Sequence, residues 1–412
     1  MKRILIVGPF ASEYSIAKVN RSLAFNLSKI THGKYEVKLY SNPEFTDKLP
    51  DKNTYSKYPF LKTLTTDKNL DDDIVIFYNF PKSIFSNYGL TKLKGSVKIG
   101  YIAWEESIYP EKLVKECNEN LHAIATISNH VKQVFRRSGI NIAMRNIGHG
   151  LDIPFAESQE YPIKSKAKFR IFHNSSGQYR KGLDILVKAY FETFTKKDDV
   201  VLILKMFPNL SIDKKTLQMI TNRSANAPEV EVIMNPDMTD GELKYLIDSC
   251  DLHVYPTRAE GFGLPIAEAL ALGKPTITTN YSGQIDFAND LNAFMLNFKL
   301  MPSKSHLNIP GSLMAEPNIL ELKKYLRLIY ENPKSKEILK KSEKASKLLE
   351  ELTWEKVSKN MLDFVEEVQF FASLKDKKIS ILTRYNSQCG IATYSQDLYP
   401  KVIKNFKDFK VF

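Results

Sequence analysis

The sequence predicts an α/β protein built as two doubly wound, Rossmann-like lobes facing a cleft. Three observations predict it. A chain of 412 residues is too long for one ordinary core and suits two α/β domains. Short apolar strand runs alternate with helical apolar periods in both halves. The stretch Pro256–Asp286 (PTRAEGFGLPIAEALALGKPTITTNYSGQID) then reads as half of one such unit. It follows the apolar strand Asp251–Pro256. Gly261 and Gly263 let the backbone bend and approach a ligand. Pro265 stands where a helix begins, Ile266, Ala267, Ala269, Leu270 and Leu272 continue it, and Gly273 caps it. Pro275–Thr279 is the next strand. The loop lies at the carboxyl end of a strand, where such sheets bind ligands, and the helix start suits a phosphate. Glu260 and Glu268 flank that anion site; Glu268 also reads as a complement to the helix dipole.

The first half follows the same plan. Arg3–Val7 is a strand, Gly8-Pro9-Phe10 its turn, Ser12–Ser15 a polar loop and Ile16–Lys29 a helix. A lone Gly8 is not a dinucleotide G-x-G-x-x-G fingerprint, but its turn is a candidate ligand-facing loop. Asn20 and Arg21 face either the cleft or solvent. Tyr35–Tyr40 is a strand, and Pro43–Leu70 reads as a long irregular excursion. Asp71–Phe80 and Ser96–Ala103 are buried strands, the second ending in Trp104-Glu105-Glu106-Ser107. Two carboxylates and an indole at a strand's carboxyl end are predicted to face the cleft; the alternative is a cap for the helix after Pro110. Ala123–Ile127 is a strand, and Ser128 caps a helix Asn129–Ser138 stopped by Gly139. Met144–Ile147 is a strand ending in Gly148-His149-Gly150-Leu151-Asp152, where His149 is a turn residue or faces the cleft.

Residues 153–167, polar and with two prolines, read as the linker. Lys168–His173 is a strand. The polar loop Asn174–Gly182 follows, then a helix carrying Leu183, Leu186, Ala189 and Tyr190. Arg180 and Lys181 stand at its entrance, where like charge opposes the dipole, and an anion would explain them. Val200–Lys205 is a strand with Met206 and Phe207 beyond it. Asp213–Asn222 is a helix and Val230–Met234 a strand, whose end, Asn235–Asp240, leads into a helix Asp240–Ser249. Tyr281–Phe287 is a tight turn in which Asp286 either caps a helix or faces ligand. Glu321–Tyr330, Lys334–Leu349 and Trp354–Phe371 are helices; the lysines of 334–347 form a solvated face. Lys377–Thr383 is a fresh strand, followed by a glycine turn and helix that repeat the N-terminal layout.

The string EGFGLPIAEALALGKP resembles the E-x7-E signature of retaining glycosyltransferases of family four. That resemblance implies the GT-B fold and a nucleotide-sugar donor. It implies that Glu260 contacts the transferred sugar and Glu268 the ribose, and that amides of Gly261, Phe262, Gly263 and Leu264 approach the donor phosphates. The family's R-x4-K pair clamps the diphosphate. Lys181 matches the lysine, while Ser176 stands in the arginine's place, so Arg180 is the candidate second charge. GHGLD resembles the turn that ends the N-terminal half. The family's usual histidine is replaced by WEES, which resembles a W-E subgroup found in multi-domain polysaccharide and O-antigen glycosyltransferases. Glu105 and His149 join Glu260 and Lys181 as catalytic candidates; Gly8, Trp104, Glu105 and Glu106 are acceptor-side candidates. In this plan the strand end at Asn235–Asp240 lies beside the nucleotide base, and a terminal helix crosses back to the first lobe.

The expected partition is an acceptor-side domain over 1–152, a linker over 153–167, a donor domain over 168–355 and a crossing helix over 356–373. The start of a second, truncated glycosyltransferase domain is expected over 377–412. The expected activity is transfer of a hexose, mannose among the candidates, to a saccharide or lipid-linked saccharide in surface polysaccharide (O-antigen or capsule) synthesis. No cofactor or metal is expected, because no D-x-D cluster is suitably placed. Alternatives from other classes are a GT-B nucleotide-sugar 2-epimerase and a non-catalytic glycan-binding module.

No apolar run reaches the roughly 20 residues that span a membrane. Three cysteines, scattered, argue for a reducing compartment. A net charge of +12 fits a lysine-rich soluble surface, or attraction to an anionic membrane or acidic saccharides. No nucleic-acid-binding pattern is present. The expected setting is cytoplasmic, with a peripheral position on the inner face of the cell membrane.

Overall fold

The computed structural model describes residues 1–12, 15–41, 49–78, 94–206, 214–222, 224–235, 237–305, 307–373, 379–381 and 409–411. The last two segments are short paired strands, β16 (Ile379–Ile381) and β17 (Phe409–Val411). The rest of the expected second domain start, Phe207, and Asn79-Phe80 of the expected Asp71–Phe80 strand lie outside the described residues.

The first lobe is a seven-stranded parallel sheet in the order β3-β2-β1-β4-β5-β6-β7. Its strands are β1 (Lys2–Val7), β2 (Tyr35–Tyr40), β3 (Thr65–Thr66), β4 (Ile74–Tyr78), β5 (Val97–Ile102), β6 (Ala123–Thr126) and β7 (Ala143–Asn146). Ile4, Leu5, Ile6 and Val7 are wholly buried, which explains why β1 reads as continuous apolar sequence: helices cover both sheet faces. These include α1 (Ser15–Ile30), α4 (Glu111–Asn120) and α5 (Asn129–Arg137). The described part of the expected irregular excursion holds regular elements: α2 (Lys52–Lys57), α3 (Leu61–Leu64) and β3. Asp51 caps α2 by accepting from the Thr54 amide at 2.8 Å, and Leu61 and Leu64 are buried. Elements this short show too few turns to reveal a period.

The second lobe is a six-stranded parallel sheet in the order β10-β9-β8-β11-β12-β13. The strands are β8 (Phe169–Ser175), β9 (Val200–Met206), β10 (Glu229–Ile233), β11 (Leu252–Tyr255), β12 (Thr276–Thr279) and β13 (Phe294–Leu296). The helices are α6 (Leu183–Thr193), α7 (Lys214–Thr221), α8 (Asp240–Asp248), α9 (Leu264–Ala271), α10 (Ile319–Glu331), α11 (Lys336–Ser346) and α12 (Leu348–Glu351). Strand order reverses between β8 and β11, so the crevice at their carboxyl ends is the switch point. An antiparallel hairpin, β14 (Phe298–Pro302) with β15 (Leu313–Pro317), has no counterpart in the sequence reading.

Helix α13 (Trp354–Ser373) belongs to the first lobe by packing. Its Val357, Met361, Phe364, Val365 and Val368 join the core of β1 and α1. Tyr35 donates to Gln369 at 2.8 Å, and Lys34 pairs with Glu366 at 2.7 Å. The linker is held by Lys244, which donates to the carbonyls of Pro154 and Ala156, both at 2.9 Å.

Candidate active site

Two loops leave the switch point and meet. The first follows β8. Its base is fixed by His173, wholly buried, whose Nδ1 lies 2.7 Å from the Val254 carbonyl. That nitrogen must carry the proton, so Nε2 accepts from Ser175 Oγ at 2.8 Å. The Gly177 amide donates to the same Ser175 oxygen at 3.3 Å. Burial takes the imidazole down to about 4, which keeps this arrangement neutral. The loop then makes a 3-10 turn, Tyr179–Lys181, and enters α6 through Gly182 at φ +69°. A Cβ there would stand 1.9 Å from the Pro256 carbonyl oxygen. Only glycine lets the two loops lie this close.

The second loop follows β11. The Glu260 amide donates to Ser282 Oγ at 2.9 Å, and the Gly283 amide donates to the Glu260 carbonyl at 2.9 Å. Gly283 sits so close that a Cβ would reach 2.1 Å from the Gly261 carbonyl oxygen. These contacts aim Glu260 at the first loop.

The result is a chain of four charges. Lys181 Nζ lies 2.7 and 2.8 Å from the two Glu260 oxygens. Arg180 Nη1 reaches Glu260 at 3.0 Å. Arg180 Nη2 reaches Glu105, from the other lobe, at 2.9 Å. The four side chains are between 6% and 16% exposed. Burial pushes the Glu260 carboxyl up, but Lys181 and Arg180 outweigh it and hold the group below the usual range. Burial and Arg180 lower Lys181. Burial opposes the Arg180 charge, and Glu105 and Glu260 raise it. The buried Arg180 Nε–H has no partner.

Glu268, on α9, is 8% exposed. Burial lifts its carboxyl to about 8, with Asp240 and Asp152 adding to the lift and Lys18 and Lys205 opposing it. An ion pair between Lys18 of α1 and Asp240 of α8 bridges the lobes beside it.

Other candidates fall elsewhere. Trp104 is not a cleft residue. It is wholly buried, packs edge-on against Tyr109, and donates to the Ile108 carbonyl at 3.0 Å. That local bond removes the cost of burying its N–H. His149 is packed at the junction of the lobes. It is 3% exposed, lies against the Phe262 and Trp354 rings, and sits 2.6 Å from the Gly150 carbonyl through Nδ1. Burial takes it down to about 4. Glu106 accepts from Ser312 Oγ of the hairpin at 2.6 Å and is 2% exposed, so it staples the lobes. Gly8 ends β1, its amide donating to the Tyr40 carbonyl. The Gly261 carbonyl accepts from Ser128 of the first lobe at 2.7 Å, and Phe262 packs on His149 and Phe287. Gly263 caps α9, and Leu264 begins it half-buried. Asp286 does cap a helix, but across the lobes: it accepts from the Asn129 amide of α5 at 2.7 Å. Among the described residues, no group of three or more His, Cys, Asp or Glu is placed to hold a metal. Two surface hollows open at the amino ends of β8–β10 and share no residue with the charge chain.

The sequence reading missed Arg258, which it took as part of a polar turn. The side chain is 1% exposed and lies between the two loops.

Residues 155–346 match the family of glycosyl transferases group 1. The matched segment holds the candidates Arg180, Lys181, Glu260 and Glu268. No curated protein matches the chain by sequence. Solved structures match over both lobes. Anabaena HepE, in complex with UDP and glucose, aligns with TM-score 0.62 at 14% identity, covering 89% of this chain and 100% of that one. Sucrose-phosphate synthase from Thermosynechococcus elongatus gives 0.61 at 15%, covering 90% and 100%. A glycosyltransferase from Rickettsia africae gives 0.61 at 15%, covering 89% and 98%. Identities this low speak to the fold, and the fold is GT-B: two Rossmann-like parallel-sheet lobes. The group 1 match supports a glycosyltransferase.

Proposed function

We propose that this protein is a metal-independent, retaining hexosyltransferase that uses a nucleotide diphosphate sugar. One observation carries the reading: Lys181 and Arg180 converge on Glu260 at the switch point of the second sheet. The family match over 155–346 supports it, and so does the UDP bound by the HepE structure. A diphosphate leaving group gathers negative charge as the C1–O bond breaks. Two buried cations and the amino end of α9 stabilise that charge without a metal. The carboxylate of Glu260, ionised between them, holds them in place and lies beside the sugar. Glu268 stays largely protonated near neutral pH and offers a hydroxyl donor to the ribose. The acceptor oxygen bonds to C1 on the face that the diphosphate leaves, and the acceptor proton passes to a phosphate oxygen. Closing the lobes excludes water from this exchange.

The acceptor is a saccharide or lipid-linked saccharide in surface polysaccharide synthesis, and the +12 charge suits work beside an anionic membrane. A nucleotide-sugar panel screened by thermal shift identifies the donor. Lys181→Ala and Glu260→Gln then each lower transfer by at least about a hundredfold, of the order seen when an electrostatic stabiliser is removed. EDTA leaves the rate unchanged. Full activity in both variants with the identified donor refutes the site. Epimerisation without acceptor, or glycan binding without donor affinity, replaces the reading with one of its alternatives.

A further inference from the structure

Arg258 carries a full charge into the site yet has nothing left to give a ligand. Its Nε donates to Glu316 at 2.7 Å. Nη1 donates to the Tyr179 carbonyl at 2.7 Å and to Asp184 at 2.8 Å. Nη2 donates to Asp184 at 2.7 Å and to Glu316 at 3.4 Å. A guanidinium has five N–H donors, and all five are used. The group also lies over the Tyr179 ring, 3.7 Å from its centroid. Its own amide donates to the Arg180 carbonyl at 2.6 Å, and its carbonyl accepts from the Ala315 amide at 2.9 Å. So Arg258 grips the 3-10 turn that carries Arg180 and Lys181, the first turn of α6, and strand β15. It stands two residues before Glu260 in the chain.

We propose that Arg258 is a positioning residue that locks the Arg180–Lys181 turn in register with Glu260. A planar fork tied at three points can hold that register; a point charge cannot. The turn's other ties run through its charged tips: Arg180 to Glu260, Glu105 and the Ala259 carbonyl, and Lys181 to Glu260. Gly177 and Gly182 flank it with positive φ, and neither 3-10 end has a side-chain cap. Without the fork, the two cations stay in the molecule but lose their fixed placement on the diphosphate. Such loss of preorganisation appears in the rate more than in the fold. This role rests on the donor-site reading above.

The test uses the full chain with Arg258→Gln and Arg258→Lys, read by amide hydrogen exchange and by kinetics with the identified donor. Exchange at the Lys181 and Gly182 amides is expected to rise at least tenfold in both variants, with the strands β8, β9 and β11 unchanged. Transfer should fall about a hundredfold in kcat with a smaller change in KM. Arg258→Lys keeps the charge and should recover less than tenfold of that loss. Glu316→Gln removes one anchor that is half exposed; if Arg258→Gln does not fold, it should give the same local exchange at about threefold. Unchanged exchange in the turn, exchange raised evenly over the lobe, or full kcat in Arg258→Lys overturns the proposal. The exchange readout needs no substrate. It therefore stands or falls separately from the donor-site reading, which the nucleotide-sugar panel decides.

Discussion

Glu268 offers a test in which stability and function move in opposite directions. Its carboxyl ionises near the usual 4.5 in the unfolded chain and at about 8 in the folded one, chiefly because it is buried. Between those pH values the folded protein holds a proton that the unfolded chain has lost. Stability therefore falls as pH rises from about 4.5 to about 8 and is insensitive to this group on either side. At about 1.4 kcal/mol per tenfold change, the penalty is about 3 kcal/mol at pH 7 and roughly 4–5 kcal/mol above pH 8. Glutamine keeps the shape and cannot ionise. Glu268→Gln should thus match the wild type below pH 4.5 and exceed it by about 3 kcal/mol at pH 7. Urea denaturation of the unliganded protein, followed by circular dichroism at pH 5, 7 and 8.5, measures the difference. A gap between variant and wild type that is the same at pH 5 and pH 8.5 refutes the reasoning, because titration of this carboxyl is then not its source. The same variant should bind donor more weakly, the pattern expected where a site keeps a strained group for its task.

Two further outcomes follow from the loops. Gly182→Ala must relieve a Cβ placed 1.9 Å from the Pro256 oxygen at φ +69°, and should cost about 2–4 kcal/mol from the left-handed backbone and the overlap together. Calorimetry showing an unchanged Tm would contradict that contact. Glu105→Gln removes the carboxylate that competes for Arg180 across the cleft. It should tighten the nucleoside diphosphate product by about fivefold, near 1 kcal/mol, in a titration by calorimetry; equal or weaker affinity contradicts the competition.

Much of the fold was legible because a parallel sheet buries whole strands. Runs such as Ile4–Val7 and Val200–Leu204 stand out without any alternation to decode. The two loops were legible through glycine and charge, since Gly182 and Gly263 mark turns and Arg180 and Lys181 are costly at a helix entrance. That Arg180 would also meet a carboxylate of the other lobe was not legible, for Glu105 and Arg180 come from different sheets. Arg258 escaped for a similar reason. Its partners Tyr179, Asp184 and Glu316 lie in separate segments, and in sequence it looks like any arginine in a turn. Trp104 was misread because a strand end is a common place for a ligand-facing indole; here the Ile108 carbonyl satisfies the N–H and lets the ring sink into the core. The hairpin β14–β15 hid because much of it is exposed, Leu300 and Leu313 included, so no apolar face announced it.

Helix α13 has a consequence for how this molecule comes into being. Ribosomes make Ile4 and Leu23 early, but Val357, Met361, Phe364 and Val365, which close over the same apolar interior, emerge only after the entire second lobe. The first lobe must therefore wait, with a greasy flank uncovered, while the second lobe is made. Nascent chains in that condition are prone to stick to one another, and helix α13 ends the exposure.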